Sequence, residues 1–313
     1  MNYGEMIKSA FWISWRNKFL WFFGFFAAGS GGASNVFNVP SEVGSQEDFS
    51  GMGRWMSDNV VALLVVLAVI AFALALVYIV LSFVSAGGLA ESVAAIDRGE
   101  ERHFSSTLRA GLANFWRVLG QAILIFLIGL GLLLVVALIA GLPIALTFVL
   151  SESVGARVVV SALFGVLGVL LLIVFFVALS IIGQFALRGL VVDRERITHS
   201  IAAGYGLLRR SVGRSLLVWL INLGLSIGIG IAVLVVVLIV GFFLFLPTIL
   251  LSVAEYATAA IVAGVVAGLI LVPIFLVISG AVGAFSHAYW TLAYLRLTDR
   301  PGREPEPAEG AVA

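Results

Sequence analysis

The sequence has no cysteine, which excludes disulfides, thiol nucleophiles and thiolate metal sites. It is also poor in charge. Only 11% of its 313 residues are Asp, Glu, Lys or Arg, against roughly 25% in soluble domains. The charges that exist nearly cancel, leaving a net of +1, which gives no basis for binding nucleic acid. There is no G-x-S-x-G nucleophile turn and no phosphate-cradling G-x-x-x-x-G-K-[ST] loop. No pair of acids falls inside an apolar run. The three histidines, His103, His199 and His287, lack a second His or acid at ligand spacing. No catalytic residue, cofactor or metal ligand is therefore assigned, and no enzyme is expected.

Apolar residues fill the space that charge leaves, at 62% of the chain. A soluble core of this length cannot hide so much apolar surface, but a bilayer can. Crossing one takes about 20 consecutive apolar residues. Five runs free of Asp, Glu, Lys and Arg meet that length: residues 59–90, 118–151, 158–187, 215–254 and 256–295. Pro143, Pro247 and Pro273 predict a bend or an end in three of them. A sixth run, residues 11–28, is interrupted by Arg16 and Lys18, whose heads are expected to snorkel while Trp12, Trp15 and Trp21 sit at the interface. A cleaved signal peptide is the rival reading of this basic start.

Charge placement predicts the orientation. With six spans, one face carries the N-terminus, residues 85–117, residues 188–214 and the C-terminal tail, and with them 16 of the 18 basic residues. Lys and Arg concentrate on the cytoplasmic side, so both termini are expected inside. The opposite face holds only Arg54 and Arg157.

The chain also reads as a threefold repeat. Three apolar runs lead into a short segment that ends in an Asp-Arg pair, at Asp97-Arg98, Asp193-Arg194 and Asp299-Arg300. Three basic amphipathic stretches lead into the outgoing runs. Phe104, Leu108, Leu112, Phe115 and Leu119 form one helical stripe, with Ile197, Ile201, Tyr205, Leu208 and Val212 another, and Tyr3, Ile7, Phe11 and Trp15 a weaker first copy. Such helices suit a membrane surface. Ser105 or Ser106 is expected to cap the second and Thr198 the third. The expected fold is all-α and polytopic: about six transmembrane helices in three hairpin repeats, residues 1–98, 99–194 and 195–300, with cytoplasmic amphipathic helices. Residues 1–300 form a single transmembrane domain, and the Pro- and Glu-rich residues 301–313 a disordered cytoplasmic tail.

Residues 10–26 (AFWISWRNKFLWFFGFF) and the repeated hairpins resemble uncharacterised bacterial multi-span membrane families, akin to the membrane domain fused to some glycerophosphodiester phosphodiesterases. The resemblance covers the membrane region. No catalytic phosphodiesterase domain accompanies it, so it implies a lipid-associated module in a bacterial inner membrane and carries over no catalytic residue.

Two sets of residues are the functional candidates. Arg109, Arg117, Arg209, Arg210 and Arg214 are expected to contact anionic lipid. Gln121, Gln184 and His287 are polar groups toward the ends of the spans and Asn222 lies deeper, within about the first two turns of its span; they either bond between helices or line a polar cavity at the cytoplasmic side. Gly224/Gly228 and Gly264/Gly268 have the G-x-x-x-G spacing of close helix contacts. The expected partners are membrane lipids, with a membrane-protein partner or a second copy of the chain. The leading function is a non-enzymatic scaffold or accessory module. The alternative is a transporter or permease for an apolar or lipid-like solute.

Overall fold

A computed structural model describes residues 2–28 and 60–298, and among these residues there are helices and short turns but no strand. The helices are α1 (Tyr3–Arg16), α2 (Leu20–Ala28), α3 (Val60–Asp97), α4 (Phe104–Val136), α5 (Leu142–Leu150), α6 (Val154–Val192), α7 (Ile197–Arg210), α8 (Val212–Val253) and α9 (Ala257–Leu297). A π-helical turn, Ala137–Gly141, joins α4 to α5. It lies just before Pro143, which lacks an N–H and would press on the carbonyl four residues back, so the wider turn takes up the mismatch. Pro247 and Pro273 lie inside α8 and α9, and neither helix ends there.

Five segments are long and apolar enough to cross a membrane: Leu64–Asp97, Phe104–Leu150, Val154–Val192, Val212–Val253 and Ala257–Leu297. They mark the chain as a multi-pass membrane protein. The sixth candidate, residues 11–28, is not one helix. Asn17 stops α1, its amide and side-chain nitrogens both donating to the Ile13 carbonyl. The nine described residues of α2 span about 13 Å, against a hydrocarbon layer of roughly 30 Å.

The long helices divide into two storeys. The 38 residues of α3 run about 57 Å, nearly twice a hydrocarbon core. Leu64, Val69, Phe72 and Leu74 point outward all round the helix, whereas Val84, Leu89, Ala90, Val93 and Ala94 are buried. The same change occurs along α6 and α9, where Val166, Phe176, Val262 and Leu269 are exposed but Phe185, Leu190, Ala288 and Leu292 are buried. A helix apolar on every side belongs in lipid. The first storey therefore suits a bilayer, and the second is a protein core, made where the C-terminal halves of α3, α6 and α9 meet α1, α2, α7 and the start of α4.

In this core the return helices α3, α6 and α9 touch one another. α1 leans on α9, the start of α4 on α3, and α7 on α6. Small residues allow these approaches. A Cβ on Gly111 would overlap the carbonyl oxygen of Val84, and one on Gly24 that of Gly280. One on Gly204 would lie 2.9 Å from the Ile182 carbonyl oxygen. The glycines picked out by G-x-x-x-G spacing behave otherwise. Gly224, Gly228 and Gly268 face open space, and Gly264 meets only the Thr248 side chain.

The caps also differ from expectation. α4 starts after His103, whose N–H donates to Ser106 Oγ at 2.9 Å, so Ser106 closes the turn from inside the helix and Ser105 does not cap it. α7 starts after Arg196, which leaves Thr198 in its first turn. Asp97-Arg98 and Asp193-Arg194 both lie at helix ends, one residue out of phase: Asp97 is the last residue of α3, whereas Asp193 follows the last residue of α6. Asp299-Arg300 and the tail lie outside the described residues.

Candidate functional site

Where the two storeys meet, α3, α4, α6 and α9 enclose a cavity of about 380 Å³. Most of its wall is apolar, from Phe83, Val118, Ile125, Phe126, Phe176 and Leu179. Its polar lining includes Gln121, Gln184 and His287. Three of the four polar candidates, Gln121, Gln184 and His287, are thus brought to one mostly apolar cavity. The fourth, Asn222, is not in this wall: it accepts from Ser286 Oγ at 3.4 Å, between α8 and α9.

Behind two of these wall residues, Gln184 and His287, lies a residue the sequence did not single out. Arg188 stands one position beyond the charge-free run, and by its placement was grouped with the cytoplasmic arginines. It is instead fully buried in α6, which continues four residues further, to Val192. The sequence held a signal for this, because Gly189-Leu190-Val191-Val192 beyond it is apolar. One terminal nitrogen of Arg188 donates to the Gln184 carbonyl at 2.9 Å and to the Gln184 side-chain oxygen. The other faces His287 Nδ1 at 3.5 Å, and His287 Nε2 faces the Ala27 carbonyl at 3.4 Å. A ring nitrogen facing a guanidinium accepts, so the proton of His287 belongs on Nε2, where a carbonyl receives it. Gln121 donates to the Gly183 carbonyl at 3.3 Å, while its own side-chain oxygen is buried without a partner.

The lipid-contact candidates separate into two kinds. Arg109, Arg209, Arg210 and Arg214 are exposed. Arg117 is half-buried and ties α4 to the turn before α7, donating to Asn114 Oδ1 at 3.2 Å and to the Glu195 carbonyl at 2.7 Å. Beside them a smaller cleft of about 120 Å³ is lined by Glu91, Arg98, Arg102 and Arg194. Arg102 reaches Glu91 at 3.9 Å and Glu100 at 3.2 Å, and Arg98 pairs with Glu100 at 2.9 Å. The hydrogen bond from Arg98 holds the exposed Glu100 carboxyl below its usual range, with Arg102 adding to it. His199 pairs with Glu195 at 3.3 Å. Among the described residues no three His, Asp or Glu side chains are grouped to hold a metal.

Comparison with known proteins gives one assignment. No curated protein and no solved structure matches the chain, and nothing in the comparisons links it to glycerophosphodiester phosphodiesterases. The family model of DUF7544, a family of unknown function, matches residues 18–300, and the chain belongs to that family.

Proposed function

We propose that the chain is a non-enzymatic, lipid-associated module of a bacterial inner membrane, a scaffold or accessory subunit with both termini in the cytoplasm. The reading rests on a belt of exposed arginine and aromatic side chains on the outside of the packed storey. Phe11, Trp12, Trp15, Trp116 and Tyr205 are each more than half exposed, and Lys8, Arg16, Arg109, Arg209 and Arg210 are exposed or partly so beside them. Amphipathic aromatics settle at the level of lipid headgroups, and basic side chains beside them attract anionic lipid.

Six passages of the chain in three hairpins fit this reading. α1 and α2 lie in the packed storey, whereas α3 begins at the far end of the apolar one. A threefold origin is supported by matching positions. The fourth residues of α1, α4 and α7, Met6, Thr107 and Ser200, are all fully buried. The eighth, Ala10, Gly111 and Gly204, are all small and buried. The ninth, Phe11, Leu112 and Tyr205, are all exposed.

The test replaces Arg109, Arg209 and Arg210 together by Gln. Each exposed Arg near an anionic surface contributes about 1 kcal/mol. The triple variant should lose much of the wild-type preference for spin-labelled phosphatidylglycerol over phosphatidylcholine in reconstituted membranes. An unchanged preference defeats the reading. The second reading, a transporter or permease for a lipid-like solute, is favoured by the cavity at the storey boundary. Lipid scrambling in proteoliposomes above that of empty vesicles would support it.

A further inference from the structure

Arg188 is a buried cation that has no countercharge among the described residues. Among the described residues no carboxylate pairs with it, and its Nε has no hydrogen-bond partner. A guanidinium stays protonated in a protein. Burying a charge is costly unless an opposite charge accompanies it. The oxygens of Gln184 satisfy part of its hydrogen bonding and leave its net charge in place.

We propose that the missing charge is the acidic phosphate headgroup of one lipid, which enters the cavity from the bilayer side. The inference rests on the lipid-associated reading and deepens it, assigning a single internal site in addition to the surface belt. The two ends of the cavity differ as the two ends of such a lipid do. Gln184 and His287, both in contact with Arg188, belong to the cavity wall, and so does Gln121 with its unpartnered oxygen. At the other end Phe126 and Phe176 are 69% and 56% exposed in the apolar storey, so the opening faces hydrocarbon. The volume falls within the roughly 300–1,000 Å³ typical of small-molecule sites. A small water-soluble anion would match only the polar end, where Gln184 and His287 contact Arg188 behind them, whereas a phosphate carrying acyl chains matches both.

Native mass spectrometry of the full chain in detergent tests this, with dioleoylphosphatidylglycerol, dioleoylphosphatidylcholine or inorganic phosphate as the probe. The expected result is one tightly held phosphatidylglycerol that phosphatidylcholine does not replace and millimolar inorganic phosphate does not displace. Arg188→Gln should weaken its retention about tenfold or more, the effect of one charge-assisted hydrogen bond. Ala122→Trp should also expel it, because Ala122 is in the cavity wall and the larger ring fills the space while leaving Arg188 in place. This second variant decides the matter if Arg188→Gln does not fold. The Arg109/Arg209/Arg210 variant should shed loosely held lipids and keep this one, so the surface reading and the internal site fail separately. Retention of the lipid in Ala122→Trp, equal retention of phosphatidylcholine, or displacement by inorganic phosphate would each overturn the proposal.

Discussion

At the level of single residues, the turn between α8 and α9 shows how a local conflict is tolerated. Glu255 holds a positive φ of 62°, with its N–H donating to the Ser252 carbonyl at 3.1 Å and that of Tyr256 to the Leu251 carbonyl at 3.0 Å. This is the glycine-type helix ending, and α3 closes the same way with Gly99 in that position. A side chain in the left-handed region costs about 1 kcal/mol. Glu255→Gly should therefore raise the thermal unfolding midpoint of the detergent-solubilised chain, and a lowered midpoint would mean that the carboxylate has an unseen role. The residue scale is also where the sequence is unevenly legible. Gln121, Gln184 and His287 stood out because polar groups are rare in apolar runs. Arg188 did not, because a charge at the edge of a run looks like a boundary, and only tertiary packing places it inside.

At the scale of the helix, identical residue types carry opposite consequences. Gly111 sits against the Val84 carbonyl, so Gly111→Leu forces α3 and α4 apart and should cost about 3 kcal/mol. Gly228 faces open space in α8, so Gly228→Ala should stabilise, by up to about 1 kcal/mol from helix propensity. Chemical or thermal unfolding of both variants in one detergent checks the pair, and similar effects would contradict the packing described. The helices themselves were readable, since long charge-free runs allow little else. Their contacts were not. G-x-x-x-G spacing is a property of one strand of sequence, whereas the close approaches at Gly24, Gly111 and Gly204 depend on which partner each helix meets. The three stripes fall on helices of different kinds. α1 and α7 form separate helices of 14 residues each, while the corresponding stretch runs on without a break into α4.

At the scale of the whole molecule, the two storeys turn orientation into a measurable quantity. Natural absence of cysteine makes each introduced thiol unique. Asn2, Ser105 and His199 are exposed around the packed storey, and Ser153 and Thr258 are exposed at the far ends of α6 and α9. In intact cells a membrane-impermeant maleimide should label Ser153→Cys and Thr258→Cys and spare Asn2→Cys, Ser105→Cys and His199→Cys. That pattern follows if the arginine-rich storey is cytoplasmic. The reverse pattern would turn the molecule over and move the anionic-lipid belt to the outer leaflet. Labelling of Asn2 alone among the three inner sites would separate α1 from the storey in which Met6 and Ala10 are fully buried, so it would break the packing itself as well as the orientation. The membrane class and the bias in charge were legible from composition, because both are sums over many residues. The division into storeys was not, because a run of apolar residues reads the same whether lipid or protein surrounds it. Only the burial of Val84, Phe185 and Ala288 beside the exposure of Phe72, Val166 and Leu269 separates the two.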